Sequence, residues 1–311
     1  MAIANKDLSS TELVRKSLAG RRFDPREWAF QALLLTALLL SLLFLVVLLG
    51  DVLNKGLGVL LDRGTGFLTS NLSTFSPETA GVWQGIIGSL GTLLLVIALA
   101  IPLGIGAAVY LEEYAADTRF NRFINVNIRN LAGVPSIVYG LLGLAIFVTL
   151  LREVTGGRSM IAGGLTLAVL VLPIVIITSA EALRAVPASI REAGYGVGAT
   201  KWEVIRHHVL PSAAPGILTG TILSLARALG ETAPVLLVGA VTGFLATGGA
   251  NIFQQMRDQF TTLPTVVFAY SGLPNTDFRE VTAAAILVLL VVILAANTVA
   301  ILLRNRYERK W

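Results

Sequence analysis

Residues 191–211 read REAGYGVGATKWEVIRHHVLP, a polar loop, and the apolar run that follows contains ARALGETAP at residues 226–234. The run places Arg227 and Glu231 four residues apart, so in a helix they share one face and can pair. A charged side chain inside an apolar span costs free energy, so such residues usually line a cavity or a pathway. The combination predicts a device that couples docking of a partner to passage of an ion. The alternatives are an ordinary cytoplasmic loop and an ion pair that only holds helices in register.

Composition places the chain in a membrane. Its 311 residues are 55% hydrophobic and only 14% charged, whereas soluble domains are roughly 45–50% apolar and about 25% charged. The absence of cysteine excludes thiol chemistry and thiolate metal sites. The only histidines are the neighbours His207 and His208, which form no metal-ligand pattern, so we predict no metal site. The net charge of +5 does not indicate nucleic acid, because in a membrane protein the distribution of charge matters more than its sum.

Apolar segments long enough to span a bilayer as helix, which takes about 20 residues, occur six times. The sequence therefore predicts an all-α integral membrane protein with spans at 30–53, 84–110, 130–151, 161–182, 214–243 and 280–303. The first is interpreted as an uncleaved signal anchor, since its apolar core is too long for a signal peptide and no small-x-small cleavage site follows. Spans two to five each contain a proline that is expected to kink the helix, namely Pro102, Pro135, Pro173 and Pro234.

Lysine and arginine indicate the orientation, because cytoplasmic segments are enriched in them. Seventeen lie in one alternating set of segments and six in the other. Both termini are therefore predicted to be cytoplasmic. The predicted order is a cytoplasmic arm (1–29), the first span (30–53), an extracytoplasmic loop (54–83), a membrane core (84–303) with a cytoplasmic loop (183–213), and a cytoplasmic tail (304–311). The arm either lies on the membrane surface or is a solvated tail.

The loop contains signals for two short helices. Pro187 can start the first, which runs through Ile190, Arg191 and Glu192. Thr200 can cap the second, because Glu203 three residues later completes a capping box.

The spacing of the loop resembles that of the membrane subunits of bacterial ABC importers, whose signature is Glu-Ala-Ala, three residues, Gly, nine residues, and Ile-x-Leu-Pro. This chain has Glu192-Ala193-Gly194, then Gly198, then His208-Val209-Leu210-Pro211. Gly194 and His208 depart from the pattern, and His208 leaves the local packing open. The resemblance implies the type I importer (MetI-like) permease fold for the core (84–303), with residues 183–213 as its coupling loop. It also implies docking of that loop on an ATPase and a location in the bacterial plasma membrane. The residues implied to contact the ATPase are Glu192, Ala193, Gly194, Gly198, Thr200, Lys201 and Trp202.

No phosphate-cradling loop of the form Gly-x-x-x-x-Gly-Lys-Ser/Thr occurs in the chain, and the spacing of Gly194, Gly198 and Lys201 does not provide one. We therefore expect no catalytic site and no cofactor in this chain, with ATP and Mg²⁺ bound by a partner ATPase. A membrane enzyme is disfavoured because no catalytic constellation is present.

Residues 226–234 also resemble the fifth-helix motif of phosphate importer permeases. Residues 133–140 (GVPSIVYG) and Thr261-Thr262-Leu263-Pro264 are similar to other motifs of that family, and the match runs from about Trp83 through the sixth span. Its details favour the PstA-type subunit over the PstC-type. The resemblance implies a heterodimer with a PstC-type permease, an ATPase dimer inside and an extracytoplasmic phosphate-binding protein outside.

The resemblance and the chemistry of arginine together suggest a substrate. The planar guanidinium can donate two hydrogen bonds to one tetrahedral oxyanion, and Glu231 would keep Arg227 from holding the anion too tightly. Thr232 and Asn297 are candidate lining groups, although Asn297 more readily fits a helix–helix hydrogen bond, and Ser136 can face either the pathway or a neighbouring helix. The alternatives are a permease for another oxyanion, such as sulfate or molybdate, and an ATP-independent secondary transporter or channel.

Overall fold

The computed structural model describes residues 25–240 and 256–307, and this part of the chain contains helices and no strand. The helices are α1 Pro25–Arg63, α2 Thr65–Thr69, α3 Trp83–Val109, α4 Arg119–Ala132, α5 Ser136–Gly143, α6 Arg152–Thr155, α7 Met160–Arg184, α8 Ala188–Gly196, α9 Lys201–Val204, α10 Leu210–Gly230, α11 Ala233–Val238, α12 Leu263–Ser271 and α13 Phe278–Tyr307. Most of the predicted N-terminal arm, part of the last outer loop and the end of the predicted tail lie outside the described residues.

Three π-helical segments extend or join these helices. Tyr110–Tyr114 continues α3, Leu144–Leu150 continues α5, and Ile205–Val209 joins α9 to α10. Such segments are rare and often lie at functional sites. In this chain, two of the three lie next to the loop that the sequence predicts to dock.

Five of the described helices are long and apolar enough to cross a membrane. They are α1, α3, α7, α10 with its α9 extension, and α13. The pair formed by α4 and the helix from Ser136 to Leu150 makes a sixth if it is counted as one span, although it is bent by 101°. The prediction of an all-α membrane protein with six spans is confirmed in this sense.

The chain divides into two compact units, Met1–Asp51 and Val52–Trp311. In the first unit, residues 25–51 form the beginning of α1 and are exposed throughout, as expected for an apolar helix that meets lipid. The second unit continues α1 to Arg63, ten residues beyond the predicted end at Leu53. The glycines and polar residues after Leu53 suggested a loop, but Val52 and Gly56 are buried in the helix. A Cβ at Gly56 would lie 2.7 Å from the backbone of Ala283, so this turn is held by packing against α13.

Helix α7 is at the centre of the second unit and packs against α3, α4, α5, α10 and α11. It runs parallel to α3, since Gly91 lies against Met160 and Gly104 against Val175. The starts of α3 and α7 therefore lie at one end of the bundle. Their carboxyl ends lie at the other.

Helix α10 runs antiparallel to α7, because Gly216 lies against Ala182 and Gly220 against Thr178. It therefore begins where α7 ends. We call this end, which contains Tyr110–Tyr114, α8 and α9, the coupling end. The other end, which contains the starts of α3, α7 and α12, is called the opposite end.

Glycine packing at the opposite end is very close. A Cβ at Gly88 would lie 1.7 Å from the carbonyl oxygen of Thr261, so only glycine fits there. Next to this contact, the backbone N–H of Leu263 donates a 2.9 Å hydrogen bond to the buried Ser89 hydroxyl. Gly88 thus allows α3 to pack closely on the Thr-Thr-Leu-Pro segment.

The third span differs from its prediction. The apolar run suggested one helix over 130–151, whereas α4 ends at Ala132 and a new helix begins at Ser136. Pro135 is the N-cap of α5, with φ −55° and ψ 137°, because the residue before a helix start takes an extended conformation. The prediction that Pro135 kinks a continuous helix is therefore wrong, and this proline starts a helix instead.

The fifth span is also broken. Instead of one helix over 214–243, α10 ends at Gly230, Glu231 is extended (φ −77°, ψ 117°), and α11 begins at Ala233. Pro234 occupies the first turn of α11, where its missing N–H costs nothing. Pro234 therefore does not kink a helix from within, whereas Pro102 and Pro173 do lie inside α3 and α7 as predicted.

Candidate functional site

Arg227 and Glu231 form an ion pair across the break between α10 and α11. The Nε of Arg227 donates to Oε1 of Glu231 at 3.1 Å. The Arg227 side chain remains 43% exposed and that of Glu231 18% exposed. The pair is therefore not sealed inside the bundle, and of the arginine donors only Nε is used among the described residues. Both Nη groups stay available to a ligand.

The break positions the polar groups next to this pair. The sequence placed Glu231 in the same helix as Arg227, whereas the structure places it in the extended residue that follows α10. Thr232, the next residue, is half-buried and its carbonyl accepts the N–H of Leu236. A broken helix inside a transporter leaves backbone groups free to line a pathway.

Two separately predicted motifs meet at this break. Gly140 of the 133–140 segment packs directly on α11, since a Cβ there would lie 2.7 Å from the Cα of Pro234. Ser136 begins the same helix and is half-buried. Its assignment to the pathway stays a prediction. The structure thus brings the middle of α5 against the start of α11, which begins two residues after Glu231.

Tyr139 is a residue that the sequence reasoning missed. It is buried, and its hydroxyl donates a 2.8 Å hydrogen bond to the carbonyl of Leu131 across the bend between α4 and α5. It is also close enough to Arg227 to interact with it electrostatically. The signal was present, since Tyr139 is the one aromatic residue in the motif that surrounds Pro135.

Asn297, in α13, is half-buried. Within residues 25–240 and 256–307 its side chain makes no hydrogen bond. The interhelical hydrogen bond expected for it is therefore not formed in this part of the chain.

At the coupling end, α8 and α9 form as predicted. Pro187 is the N-cap of α8. The capping box is confirmed: the N–H of Glu203 donates to the Thr200 hydroxyl at 3.4 Å, and the Glu203 carboxylate accepts the N–H of Thr200 at 2.8 Å. Gly198 has φ 85°, which glycine adopts without strain, and it ends the turn between the two helices.

Most of the predicted docking residues lie on the surface. Of the seven, only Gly194 is buried; the exposed ones are Glu192, Ala193, Gly198, Thr200, Lys201 and Trp202. Trp202 is 52% exposed, and Val197, in the turn between α8 and α9, is 84% exposed. Exposed apolar residues of this size are typical of a contact surface, so the arrangement supports docking, while the individual contacts stay a prediction.

The two departures from the importer signature have structural explanations. Gly194 is buried against α9, and a Cβ there would lie 2.8 Å from Cγ2 of Val204, so glycine accommodates the larger valine. His208 is exposed, while Ile205 and Val209 of the same π-helical turn are buried. An aliphatic residue is therefore not required at position 208 for packing.

Two ion pairs, which the sequence did not predict, attach the docking segment to α3. Glu112 pairs with Arg184, whose Nε donates at 2.7 Å, and Glu113 pairs with Arg191 at 2.7 Å. Arg191 also donates to the carbonyls of Leu183 and Val186. The only advance signal was the Glu112-Glu113 dipeptide directly after an apolar span.

A cation–π contact extends this attachment. The Lys201 ammonium lies 5.0 Å from the centre of the Tyr114 ring, within the range of such interactions. The π-helical turn Tyr110–Tyr114 therefore contacts α7, α8 and α9 through three consecutive side chains. These contacts attach the docking segment to the end of α3.

The family model described as "Binding-protein-dependent transport system inner membrane component" matches residues 100–311. The chain belongs to this family of membrane-embedded transport proteins. Among curated relatives, the phosphate transport system permease protein PstA 1 of Mycobacterium tuberculosis is 36% identical over 276 residues, which cover 86% of this chain and 85% of the relative. The predicted resemblance to PstA-type permeases is confirmed.

Solved structures show the same fold. An inward-facing MetNI methionine ABC transporter matches with a TM-score of 0.56 at 18% identity, covering 74% of this chain and 95% of the other. A bacterial alginate ABC transporter, in complex with a pentasaccharide-bound periplasmic protein, matches with a TM-score of 0.63 at 15% identity, covering 89% and 93%. The ABC importer permease fold predicted from the loop spacing is confirmed.

Proposed function

We propose that the chain is the membrane-spanning permease subunit of an ATP-driven importer that moves inorganic phosphate into the cytoplasm by alternating access. Membership of the importer family and the PstA-type relatives support this class and this substrate. The single observation that carries the proposal is the half-exposed Arg227, which lies at a helix break with both Nη groups available. A guanidinium fork of this kind suits a tetrahedral oxyanion.

Each charge of the pair has a separate role. Arg227 offers its Nη groups to two phosphate oxygens, while Glu231 occupies Nε and offsets part of the positive charge. A transported ion must bind well enough to enter and weakly enough to leave. The pair lies at the break between α10 and α11. A small shift of α11 against α10 therefore changes the distance between the two charges, and with it the affinity for the anion.

The coupling end receives the motion of the partner. We expect an ATPase dimer to contact the exposed residues of α8 and α9 and to bind ATP and Mg²⁺ itself, with both termini of this chain on the same, cytoplasmic side. The ion pairs of Glu112 and Glu113 then pass the displacement to α3. A phosphate-binding protein supplies the anion on the other side, and a second permease of the PstC type completes the pathway next to Arg227.

The test is phosphate uptake by vesicles that contain the assembled complex, the binding protein and internal ATP. Arg227→Gln is expected to lower ATP-dependent uptake at least about a hundredfold, because the fork and the charge are both lost. Arg227→Lys keeps the charge and should retain a small part of the activity. Arg122→Gln removes an arginine from an exposed ion pair with Asp117 and serves as the matched control, with uptake unchanged.

Three results would contradict parts of the proposal separately. Uptake that does not depend on ATP argues against the importer class. ATP-driven uptake of sulfate or molybdate in preference to phosphate overturns the substrate. Normal uptake by Arg227→Gln, or disassembly of the complex in that variant, reduces Arg227 to a structural charge.

A further inference from the structure

The opposite end of the bundle contains a basic cavity that the transport site does not use. Its volume is about 540 Å³, which is within the range of small-molecule sites. Three arginines line it, Arg152, Arg158 and Arg257, together with Asp258, Gln259 and Thr149. Of the six lysines and arginines in the segments predicted to be extracytoplasmic, half converge on this one cavity.

Two loops that are about 100 residues apart in sequence form its wall. Gly156, with φ 88°, brings them together, because a Cβ there would lie 2.5 Å from the carbonyl oxygen of Arg257. Arg257 in turn donates from Nη2 to the carbonyl of Glu153, and the N–H of Met160 donates to the carbonyl of Asp258. The backbone contact and the hydrogen bonds between the two loops therefore hold the wall of the cavity in place.

Buried hydroxyls hold the first loop in place. Thr155 donates to the carbonyl of Phe147 at 2.7 Å, and its hydroxyl accepts the N–H of Gly157. The Ser159 hydroxyl donates to the carbonyl of Thr155 and caps α7 by accepting the N–H of Ala162. The arginines on this loop thus project from a fixed backbone.

The guanidinium groups of Arg152 and Arg158 have unused hydrogen-bond donors in the described part of the chain. Within residues 25–240 and 256–307, neither guanidinium makes a hydrogen bond or an ion pair. The stem of Arg152 lies along Gly157 and that of Arg158 along Gly239, so both side chains are laid against backbone. Two unpaired guanidinium groups facing one cavity favour an anionic ligand, and planar forks favour an oxyanion.

The cavity is connected to the transport site by one short helix. α11 begins directly after Thr232, beside the Arg227–Glu231 pair, and ends at Gly239 against Arg158. Its six residues rise only about 9 Å at 1.5 Å per residue. An anion in the cavity therefore lies within roughly two helical turns of the break.

We propose that this cavity is an outer waiting site for a tetrahedral oxyanion, here inorganic phosphate, which occupies it between release by the binding protein and transfer to Arg227. The inference rests on the proposed function for the identity of the anion. Asp258 partly offsets the arginines, which keeps binding weak, as a relay site on a pathway requires. Arg152 and Arg158 are the ligands, and Arg257 positions the second loop.

The chain contains no cysteine, which allows a direct binding test. In right-side-out membrane vesicles holding the assembled complex without binding protein, Gln259→Cys is labelled with a membrane-impermeant thiol reagent. Inorganic phosphate is expected to slow labelling severalfold relative to chloride of equal ionic strength. Thr74→Cys, an exposed position away from the cavity, is the control, and phosphate should leave its rate unchanged.

The arginines are then removed in the Gln259→Cys background. Arg152→Gln with Arg158→Gln should raise the phosphate concentration needed for protection by about tenfold or more, whereas Arg279→Gln, a matched loss of charge outside the cavity, should not change it. Asp258→Asn should lower that concentration. Protection that persists without both arginines, or no protection at all, overturns the waiting site.

Failure of this inference and failure of the proposed function are separable. Wild-type vesicles that take up phosphate with ATP but show no protection at position 259 retain the importer function and lose only the waiting site. Labelling that requires permeabilised vesicles overturns the outer location. Protection without any ATP-dependent uptake supports the anion site and contradicts the importer.

Discussion

The coupling end and the opposite end of the bundle are held together by different chemistry. At the coupling end, charged side chains connect the elements: Glu112 with Arg184 and Glu113 with Arg191. At the opposite end, neutral hydrogen bonds and close glycine contacts do so, as in Ser89 with Leu263 and Gly88 with Thr261.

The difference reflects how each end meets its surroundings. The Arg184 side chain is 48% exposed, so this ion pair is in contact with water and can rearrange. Phe67, Phe260, Tyr270 and Phe278 at the opposite end are almost fully buried. A closely packed interior resists gradual deformation, so we expect the opposite end to move as a unit and the coupling end to adjust.

The helix break at Glu231 lies between the coupling end and the opposite end of the bundle. α10 starts at the coupling end, and α11, beyond the break, leads to Arg158 at the opposite end. The helix is therefore interrupted between the two ends of the bundle.

The largest expected effect comes from Gly88→Ala, which tests whether the opposite end is rigid. The added Cβ would lie 1.7 Å from a backbone oxygen, so α3 and the Thr261 segment must separate, at a cost of about 3 kcal/mol. The midpoint of thermal unfolding of the purified complex should fall accordingly. Gly106→Ala in the same helix meets no atom within 4 Å and should leave the midpoint unchanged or slightly raised. Equal behaviour of the two variants would show that the close fit is unimportant.

Glu113→Gln tests the coupling end. It leaves Arg191, whose side chain is only 22% exposed, without its counter-charge, and we expect a loss of about 2 kcal/mol. Hydrogen exchange of residues 188–204 should accelerate, and less ATPase should copurify. Asp117→Asn breaks an exposed pair with Arg122 and should leave the stability almost unchanged, because surface ion pairs contribute little. Undiminished protection of α8 in Glu113→Gln would sink the anchoring role.

Gly194→Ala restores the alanine of the importer signature and tests the fit of α8 on α9. The new Cβ meets Val204, which is fully buried, so we expect a net destabilisation of about 1 kcal/mol. Val204→Ala in the same chain should recover part of the loss, making the double variant more stable than the sum of the single changes. Strict additivity in the unfolding measurements would mean that the two residues do not compete for space.

Tyr270→Phe should have an effect as small as that of Gly194→Ala, and it adds a pH dependence to the comparison. The Tyr270 hydroxyl donates a 2.7 Å hydrogen bond to the carbonyl of Gly81, and its loss should cost about 1 kcal/mol at neutral pH. Burial raises the pKa of Tyr270 to about 12. Because the folded value lies above the unfolded one of about 10, the stabilisation is complete below pH 10 and disappears as the pH rises towards 12.

Measuring the free energy of unfolding as a function of alkaline pH checks this prediction. The wild-type chain should lose stability between pH 10 and 12 more steeply than Tyr270→Phe. Parallel curves for the two proteins would contradict the assignment. The coupling end offers no buried phenol of this kind in the described residues, so its hydrogen exchange should change less over the same range.

Local patterns were readable from the sequence because they depend on neighbours along the chain. The spans follow from runs of apolar residues, the start of α8 from Pro187, and the capping box from Thr200 and Glu203. The importer spacing from Glu192 to Pro211 is also local, so it identified the family before any geometry was known.

Where helices end inside apolar sequence was not readable in the same way. Gly133 to Pro135 and Glu231 to Pro234 lie in runs that are apolar enough to span, and proline is compatible with both a kink and a helix start. The packing of Gly140 against Pro234 favours the second choice, because the start of α11 can approach α5 closely at a glycine. α1 shows the reverse case, since packing against α13 extends a helix that its own glycines would have ended.

The sequence by itself determined that this is an all-α importer permease, and it predicted where the docking loop lies and which residues carry charge into the membrane. Only the tertiary structure decided that Glu112 and Glu113 hold that loop, that two motifs meet beside Arg227, and that three arginines surround one outer cavity. The physical reason is the distance along the chain over which each interaction acts. Helix propensity and capping act over a few residues, whereas charge partners that are 72 or more residues apart are chosen by the packing of whole helices.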